Sequence, residues 1–253
     1  MLPTVDIVCL VHNQLHITKG FVKSLFENTE NFNLIFINNG SNKETSEFLK
    51  NGEKENKWKV IHLEENIGII KGRNLGVTHT ESEYFLNIDN DQYPKKGWLE
   101  NLFSLINKGY DVVGSEAWSL LPPKSSGVIN IGKESINDRT YFPHHRCTSV
   151  NEKFTYIGCG GMLIKRDVYK NIGLFDERFS PAYFEDPDLN FRVIQAGYKI
   201  GWQPKCPIDH LAHQTINSQN LFNINEQFLK SWKLFKEKWF PYYPEPFSMK
   251  GVI

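Results

Sequence analysis

Little in this sequence is extreme, and each shortage removes a class of protein. Its 253 residues include 4 cysteines, Cys9, Cys147, Cys159 and Cys206, with no CxxC pair among them. A zinc ribbon or thioredoxin-type redox centre is therefore not expected. Cys9 lies within an apolar run, where a thiol serves as a small core residue, and sparse, unpaired cysteine points to a reducing cytoplasm. Net charge is also missing: Lys+Arg 29 balances Asp+Glu 29. No global field favours nucleic acid or an anionic membrane as partner. No stretch approaches the roughly 20 apolar residues needed to cross a bilayer. The first residues lack a basic run and read as a strand, not a signal peptide. Neither a GxGxxG fingerprint nor a Walker A motif is present, and no internal repeat, low-complexity tract or clean linker divides the chain.

What remains is an ordinary globular composition, 40% hydrophobic and 23% charged, sufficient to bury a core. Apolar runs at 5–11, 33–37, 58–63, 84–88 and 111–115 predict strands, and helical spacing connects them at 17–26, 42–50, 68–78 and 96–107. This alternation predicts an α/β fold with right-handed βαβ units on a mainly parallel sheet. Residues 116–155, rich in Ser, Pro, Gly, Asn and His, break the pattern. A stretch of that length reads as a functional insertion or a small antiparallel region. Strand signals return at 161–164 and 199–202, and helical ones at 167–172 and 188–196. Phe228, Leu229, Trp232, Phe235 and Trp239 then mark a C-terminal helix.

Asp89-Asn90-Asp91 follows the fourth expected strand. Ligands of open α/β sheets collect at carboxyl strand ends, and two carboxylates held together there call for a cation. Mg²⁺ or Mn²⁺ carrying a diphosphate suits them, because hard cations share oxygen ligands with phosphates. A solvated Asx turn has the same sequence. Upstream, Gly68, Lys71, Gly72, Arg73 and Gly76 open a helix where a phosphate or nucleotide could rest; close helix–sheet packing with two solvated cations is the other reading. Glu185 and Asp186 precede the helix expected from residue 188, and Pro187 favours an extended Asp186, so either carboxylate could act as general base. Asp188 and Arg192, four apart, suit a structural ion pair. His210 and His213 share one segment, and one histidine would complete a divalent-metal site with the aspartates.

In combination these segments are more specific. Val11-His12-Asn13, Asn38-Asn39-Gly40-Ser41, Asn66-x-Gly68 with Gly72-Arg73-Asn74, Asp89-x-Asp91, Gly160-Gly161, Glu185-Asp186-x-Asp188 and His210 occur in family order. The chain resembles the family 2 glycosyltransferases of the GT-A fold from about residue 5 to residue 215. The resemblance implies a Rossmann-like sheet flanked by helices, with an antiparallel insertion and a C-terminal helix. It also implies an inverting, nucleotide-diphospho-sugar-dependent transferase with a UDP-linked donor. Val11, His12, Asn13, Asn38, Asn39, Asn66, Gly68, Lys71, Gly72, Arg73 and Asn74 would then hold the nucleotide. Asn38 stands where the family carries an acid, and Asn39 is an alternative contact. Asp89, Asn90 and Asp91 match the metal motif, with Asp91 the more direct ligand and His210 or His213 the third. Asp186 matches the general base and Glu185 its alternate, while Gly160 and Gly161 leave space for sugar or acceptor.

On this reading the chain is a single domain, 1–253, with a nucleotide-binding half at 1–115, an acceptor and catalytic half at 116–215 and a helical tail at 216–253. Trp118, Tyr141, Tyr156 and Tyr183 are candidates for stacking on sugar rings. The acceptor is expected to be a carbohydrate or lipid-linked hydroxyl, as in polysaccharide biosynthesis. Trp232, Trp239, Phe240 and Tyr242 beside Lys233, Lys236 and Lys238 suit packing onto the domain, a homodimer contact, or peripheral rest on a membrane. A nucleotidyltransferase is an alternative, though His12-Asn13-Gln14-Leu15-His16 lacks the glycine-rich loop such an enzyme needs after its first strand. A non-catalytic sugar-nucleotide-binding module is the other.

Overall fold

The computed structural model describes residues 2–119, 145–146, 155–211, 223–239 and 241. The expected alternation is present. Strand β1 (Val5–Val11) leads through α1 (Leu15–Asn28) to β2 (Phe32–Asn39), then α2 (Lys43–Lys54), β3 (Lys59–Leu63), α3 (Ile69–Thr78) and β4 (Tyr84–Asp89). Short β5 (Gln92–Pro94) precedes α4 (Trp98–Ile106) and β6 (Val112–Gly114). Next come β7 (Ala117–Ser119), β8 (His145–Arg146), β9 (Thr155–Ile157), β10 (Met162–Lys165) and α5 (Arg166–Ile172). Helix α6 (Glu185–Gln195), β11 (Ile200–Trp202), β12 (Ile208–His210) and α7 (Ile224–Trp239) follow.

Seven strands form one sheet in the order β11-β6-β10-β4-β1-β2-β3. All neighbours pair in parallel except β10, which runs antiparallel to both β4 and β6. The chain leaves β1 outward through β2 and β3, then returns to lay β4 on the other side of β1. That reversal opens a crevice at the carboxyl ends of β1 and β4, the place where such sheets take ligands. One face packs Phe21, Leu25, Leu86, Ile88, Trp98 and Leu102 against α1 and α4. The opposite face packs Phe85, Ile164, Leu189 and Phe191 beneath α5, α6 and α7. Within β4 the alternation is therefore direct: Leu86 and Ile88 serve one core, while Phe85 serves the other and Asn87 and Asp89 share its face.

Two smaller sheets complete the fold. The insertion contributes the antiparallel sheet β8-β7-β9, and β12 pairs with β5 as a two-stranded ribbon. Helix α7 packs onto the domain, with Phe235 and Trp239 buried and Lys238 paired to Asp176 at 2.9 Å and Asp188 at 2.7 Å. Phe240 and Tyr242 lie outside the described residues. Among the described residues no helix is long and apolar enough to cross a membrane. Two expectations need correction. Tyr156 is buried in the core and cannot stack on a sugar. Helix α6 begins at Glu185, one turn before the expected start, so Asp186 and Pro187 are helical. Proline is tolerated there because the first N–H groups of a helix have no intrahelical acceptor in any case. The side chain of Trp118 and the whole of Tyr141 and Cys147 fall outside the description.

Candidate active site

The crevice is built from several chain segments. At the end of β4 the turn through Asp89, Asn90 and Asp91 is held from within: the Asp89 N–H donates to Gln92 Oε1 at 3.1 Å, and Asn90 Nδ2 donates to Thr18 Oγ1 of α1 at 3.0 Å. Asn90 thus points into the core, and the aspartates on either side are left for the crevice. The β5–β12 ribbon then places His210 opposite Gln92, and the Leu211 N–H donates to the Asp91 carbonyl at 3.0 Å. His210 Nε2 stands 3.4 Å from Asp91 Oδ1. One ligand atom from each of Asp89, Asp91 and His210 falls within 4.8 Å of the others. Carboxylate oxygens with one imidazole suit Mn²⁺ or Mg²⁺, and three protein ligands leave coordination positions for phosphate oxygens. The donor set fits such an ion. His213 lies outside the described residues.

Behind His210 stands a residue the sequence did not single out. Both carboxylate oxygens of Glu116 lie 3.0 and 3.1 Å from His210 Nδ1. Burial disfavours a charged imidazole, but hydrogen bonds to Asp91 and Glu116 outweigh it and push the His210 pKa up to about 10. No motif surrounds Glu116; only its place just beyond β6, on the sheet's carboxyl edge, marks it.

Arg73 of α3 is buried and faces three acids. Its Nη2 bonds Asp89 Oδ1 at 2.8 Å, and Nη1 lies 3.5 Å from Glu185 and 3.7 Å from Asp186. It is not a solvated cation; it ties Asp89 to the start of α6. Lys71, one turn-edge away, is exposed. Tyr183 and Phe184 both take positive φ, 76° and 66°, and turn the chain into α6. Such values are unusual for bulky residues and concentrate where function holds the backbone. Asp186 Oδ2 then accepts the Cys159 N–H at 3.2 Å. Desolvation raises the pKa of both Glu185 and Asp186, with Arg73 opposing it. The Asp186 side chain keeps 24% of its surface exposed against 9% for Glu185, so Asp186 is the more accessible of the two. Gly160 completes this wall: a Cβ there would sit 2.7 Å from Gln92 and 2.9 Å from Asp89 Oδ2. Gly161 beside it donates its N–H to Asn87 O at 2.8 Å.

The remaining residues expected to hold nucleotide are brought to the same edge, but several spend their polar groups on protein. His12 Nδ1 contacts the Asn39 carbonyl at 2.8 Å, and Asn13 accepts the Asn42 N–H at 2.7 Å, closing the end of β1, Val11, against β2. Asn38 donates to Ser46 and lies 2.9 Å from His62. Asn39 binds Asn66 Oδ1 at 2.9 Å and the Ile67 N–H at 2.9 Å, shaping the loop into Gly68, the residue capping α3. Asn74 exchanges two hydrogen bonds with the Phe175 backbone and so clamps a loop. Gly72 is a packing residue, since a Cβ there would meet Leu10 at 2.5 Å.

Comparison with known proteins decides what this crevice belongs to. The model of Glycosyl transferase family 2 matches residues 6–173. The chain belongs to glycosyltransferase family 2. A protein of Rickettsia felis described as an uncharacterised glycosyltransferase is 27% identical over 251 residues, covering 92% of this chain and 38% of its own length. The pre-mycofactocin glycosyltransferase of Mycobacterium tuberculosis is 22% identical over 160 residues, 60% of this chain and 32% of that protein. The chain thus spans less than half the length of these curated relatives. Among solved structures, GalNAc-T7 with UDP, GalNAc and Mn²⁺ aligns over 82% of this chain and 43% of its own, with a TM-score of 0.61 and 17% identity. S. aureus TarS 1-349 in complex with UDP aligns over 75% and 54%, with a TM-score of 0.51 and 20% identity. Both likenesses establish the GT-A fold. Family membership removes the ground for a nucleotidyltransferase.

Proposed function

We propose that this chain moves a sugar from a UDP-linked donor to an acceptor hydroxyl with inversion, using a divalent cation held by Asp89, Asp91 and His210. The observation that carries the reading is the meeting of that ligand set with the Glu185–Asp186 pair across a single buried guanidinium, Arg73. UDP in the TarS structure, and UDP with Mn²⁺ in that of GalNAc-T7, support the choice of donor and ion. When bound, the ion would offset charge growing on the departing diphosphate. The β4 end and the β12 ribbon orient the ligands; α3 and the loop at residues 66–68 frame the nucleotide edge. Asp186 accepts the proton of the attacking hydroxyl, a contribution of about 10²- to 10⁴-fold for a positioned base. Arg73 holds the base and Asp89 in fixed relation, and Gly160 keeps the wall between them open. On this reading 1–115 is the nucleotide half, 116–215 the acceptor half and 216–253 a tail, and the acceptor is a carbohydrate or lipid-linked hydroxyl. The free thiols Cys9, Cys159 and Cys206 support a reducing, cytoplasmic setting.

The test is release of UDP from a panel of UDP-sugars, since glycosyl transfer to water needs no knowledge of the acceptor. Slow hydrolysis of one donor with Mn²⁺, abolished by EDTA, is expected. Stable donors across the panel, despite binding, would favour a non-catalytic module.

A further inference from the structure

We propose that Glu116 is a positioning residue that sets the tautomer and aim of His210 as a metal ligand. The inference rests on the metal reading proposed above and adds a residue to it.

A histidine binds a cation through one ring nitrogen, and which nitrogen is free is decided by what the other donates to. Both ring nitrogens of His210 face carboxylates, but only the one at Nδ1 lies outside the candidate ligand set. His210 Nδ1 faces both oxygens of Glu116 at 3.0 and 3.1 Å, whereas Nε2 faces Asp91 Oδ1 at 3.4 Å. With Nδ1–H donated to Glu116, a cation that displaces the Nε2 proton would meet an Nε2 lone pair directed to the space shared with Asp89 and Asp91. An imidazole backed by a carboxylate is also a more basic ligand than one backed by water.

The two partners come from different parts of the fold. Glu116 follows β6, the strand between β10 and β11 in the main sheet, and its own carbonyl accepts the Gly158 N–H at 3.1 Å. His210 ends the two-stranded ribbon, whose pairing with β5 alone would leave the ring free to rotate about its side-chain bonds. The Glu116–His210 bond therefore indexes the ribbon against the sheet. Glu116 itself is only 5% exposed. Burying a carboxylate is costly without a strong donor, and His210 supplies one.

Mn²⁺ affinity, measured from the free-ion paramagnetic resonance signal at saturating UDP, tests this without reference to turnover. Glu116→Ala should bind Mn²⁺ about 10- to 100-fold more weakly, the usual effect of removing the partner behind a ligating histidine. Glu116→Gln, whose amide oxygen accepts the same Nδ1–H, should recover most of the loss. Nitrogen modulation of the Mn²⁺ spin echo should be present in the parent protein and in Glu116→Gln, and absent in His210→Ala. Should the alanine variant not fold, Glu116→Leu preserves volume while removing the acceptor, and the same loss is expected. If Mn²⁺ binds the parent protein and the alanine or leucine variant binds equally well, the inference is overturned and the metal reading stands. If the parent protein binds no Mn²⁺, both are overturned.

Discussion

Asp186 and Glu185 are adjacent acids with different surroundings, and the difference assigns their roles. Asp186 keeps contact with solvent and is steadied by the Cys159 N–H, whereas Glu185 is almost enclosed; each has one buried oxygen, Asp186 Oδ1 and Glu185 Oε2, without a hydrogen bond. Asp186→Asn is nearly isosteric, and its side-chain oxygen can still accept the Cys159 N–H, so the fold should survive. Transfer should fall by about two to four decades while UDP affinity is retained. Glu185→Gln should cost less. Steady-state rates with a working donor and acceptor, alongside UDP titrations, would check this; a Glu185→Gln collapse with near-normal Asp186→Asn would exchange the two. These acids were legible in the sequence as a motif, as were Asp89, Asp91 and His210. Glu116 was not, because a single acid beyond a short strand carries no pattern until the sheet brings it beside β12. Asn38, Asn74 and Asn90 show the reverse: motif position marked them, but their hydrogen bonds are spent holding loops and turns.

Helix α6 carries the candidate base and is anchored at its far face by charge. The fully buried Asp188 is bonded to Arg192 at 3.0 Å, to Lys238 at 2.7 Å and to Trp239 Nε1 at 2.9 Å. The ion pair expected from the four-residue spacing is present, but its larger use, docking α7, depends on residues fifty positions away that no local pattern links. Removing one partner of a buried pair costs about 3–5 kcal/mol. Asp188→Ala should lower stability on that order in urea denaturation, well beyond the effect of Lys233→Ala on the exposed side. Acid should loosen the same contact through Asp176. Hydrogen bonding to Arg178, aided by Lys238, holds its pKa well below the usual carboxylate range. A depressed folded-state pKa contributes stability that is fully present above the unfolded value, near 4, and is lost as pH falls further. Midpoints should therefore drop from pH 5 to pH 3, and Asp176→Asn should flatten that drop. Boundaries were read less well than elements. The early start of α6 was missed because Pro187 argues for an extended neighbour, while tertiary contacts of Asp186 with Cys159 and of Asn190 with Ile157 favour a helical one.

The molecule as a whole is a sheet whose strand order opens a crevice, and nearly all its site chemistry lies along that opening. The parallel strands and the βαβ order were readable because apolar runs and helical spacing alternate cleanly through residue 115. The strand at 161–164 was readable as β10 but its antiparallel direction was not, and the β5–β12 ribbon and the strands of the insertion sheet were not individually readable, since strands of two or three residues are too short to show a period. Yet the ribbon is what delivers His210 to Asp91. The proposed transfer requires that this assembled set of ligands join cation and nucleotide in one site. Isothermal titration of UDP into the protein, with Mn²⁺ and again with EDTA, measures this directly, with Asp91→Ala run in parallel. UDP affinity at least about tenfold higher with Mn²⁺, equivalent to about 1.4 kcal/mol, and loss of that gain in Asp91→Ala, is the predicted result. Equal affinity with Mn²⁺ and with EDTA, in a protein that binds UDP, would contradict it.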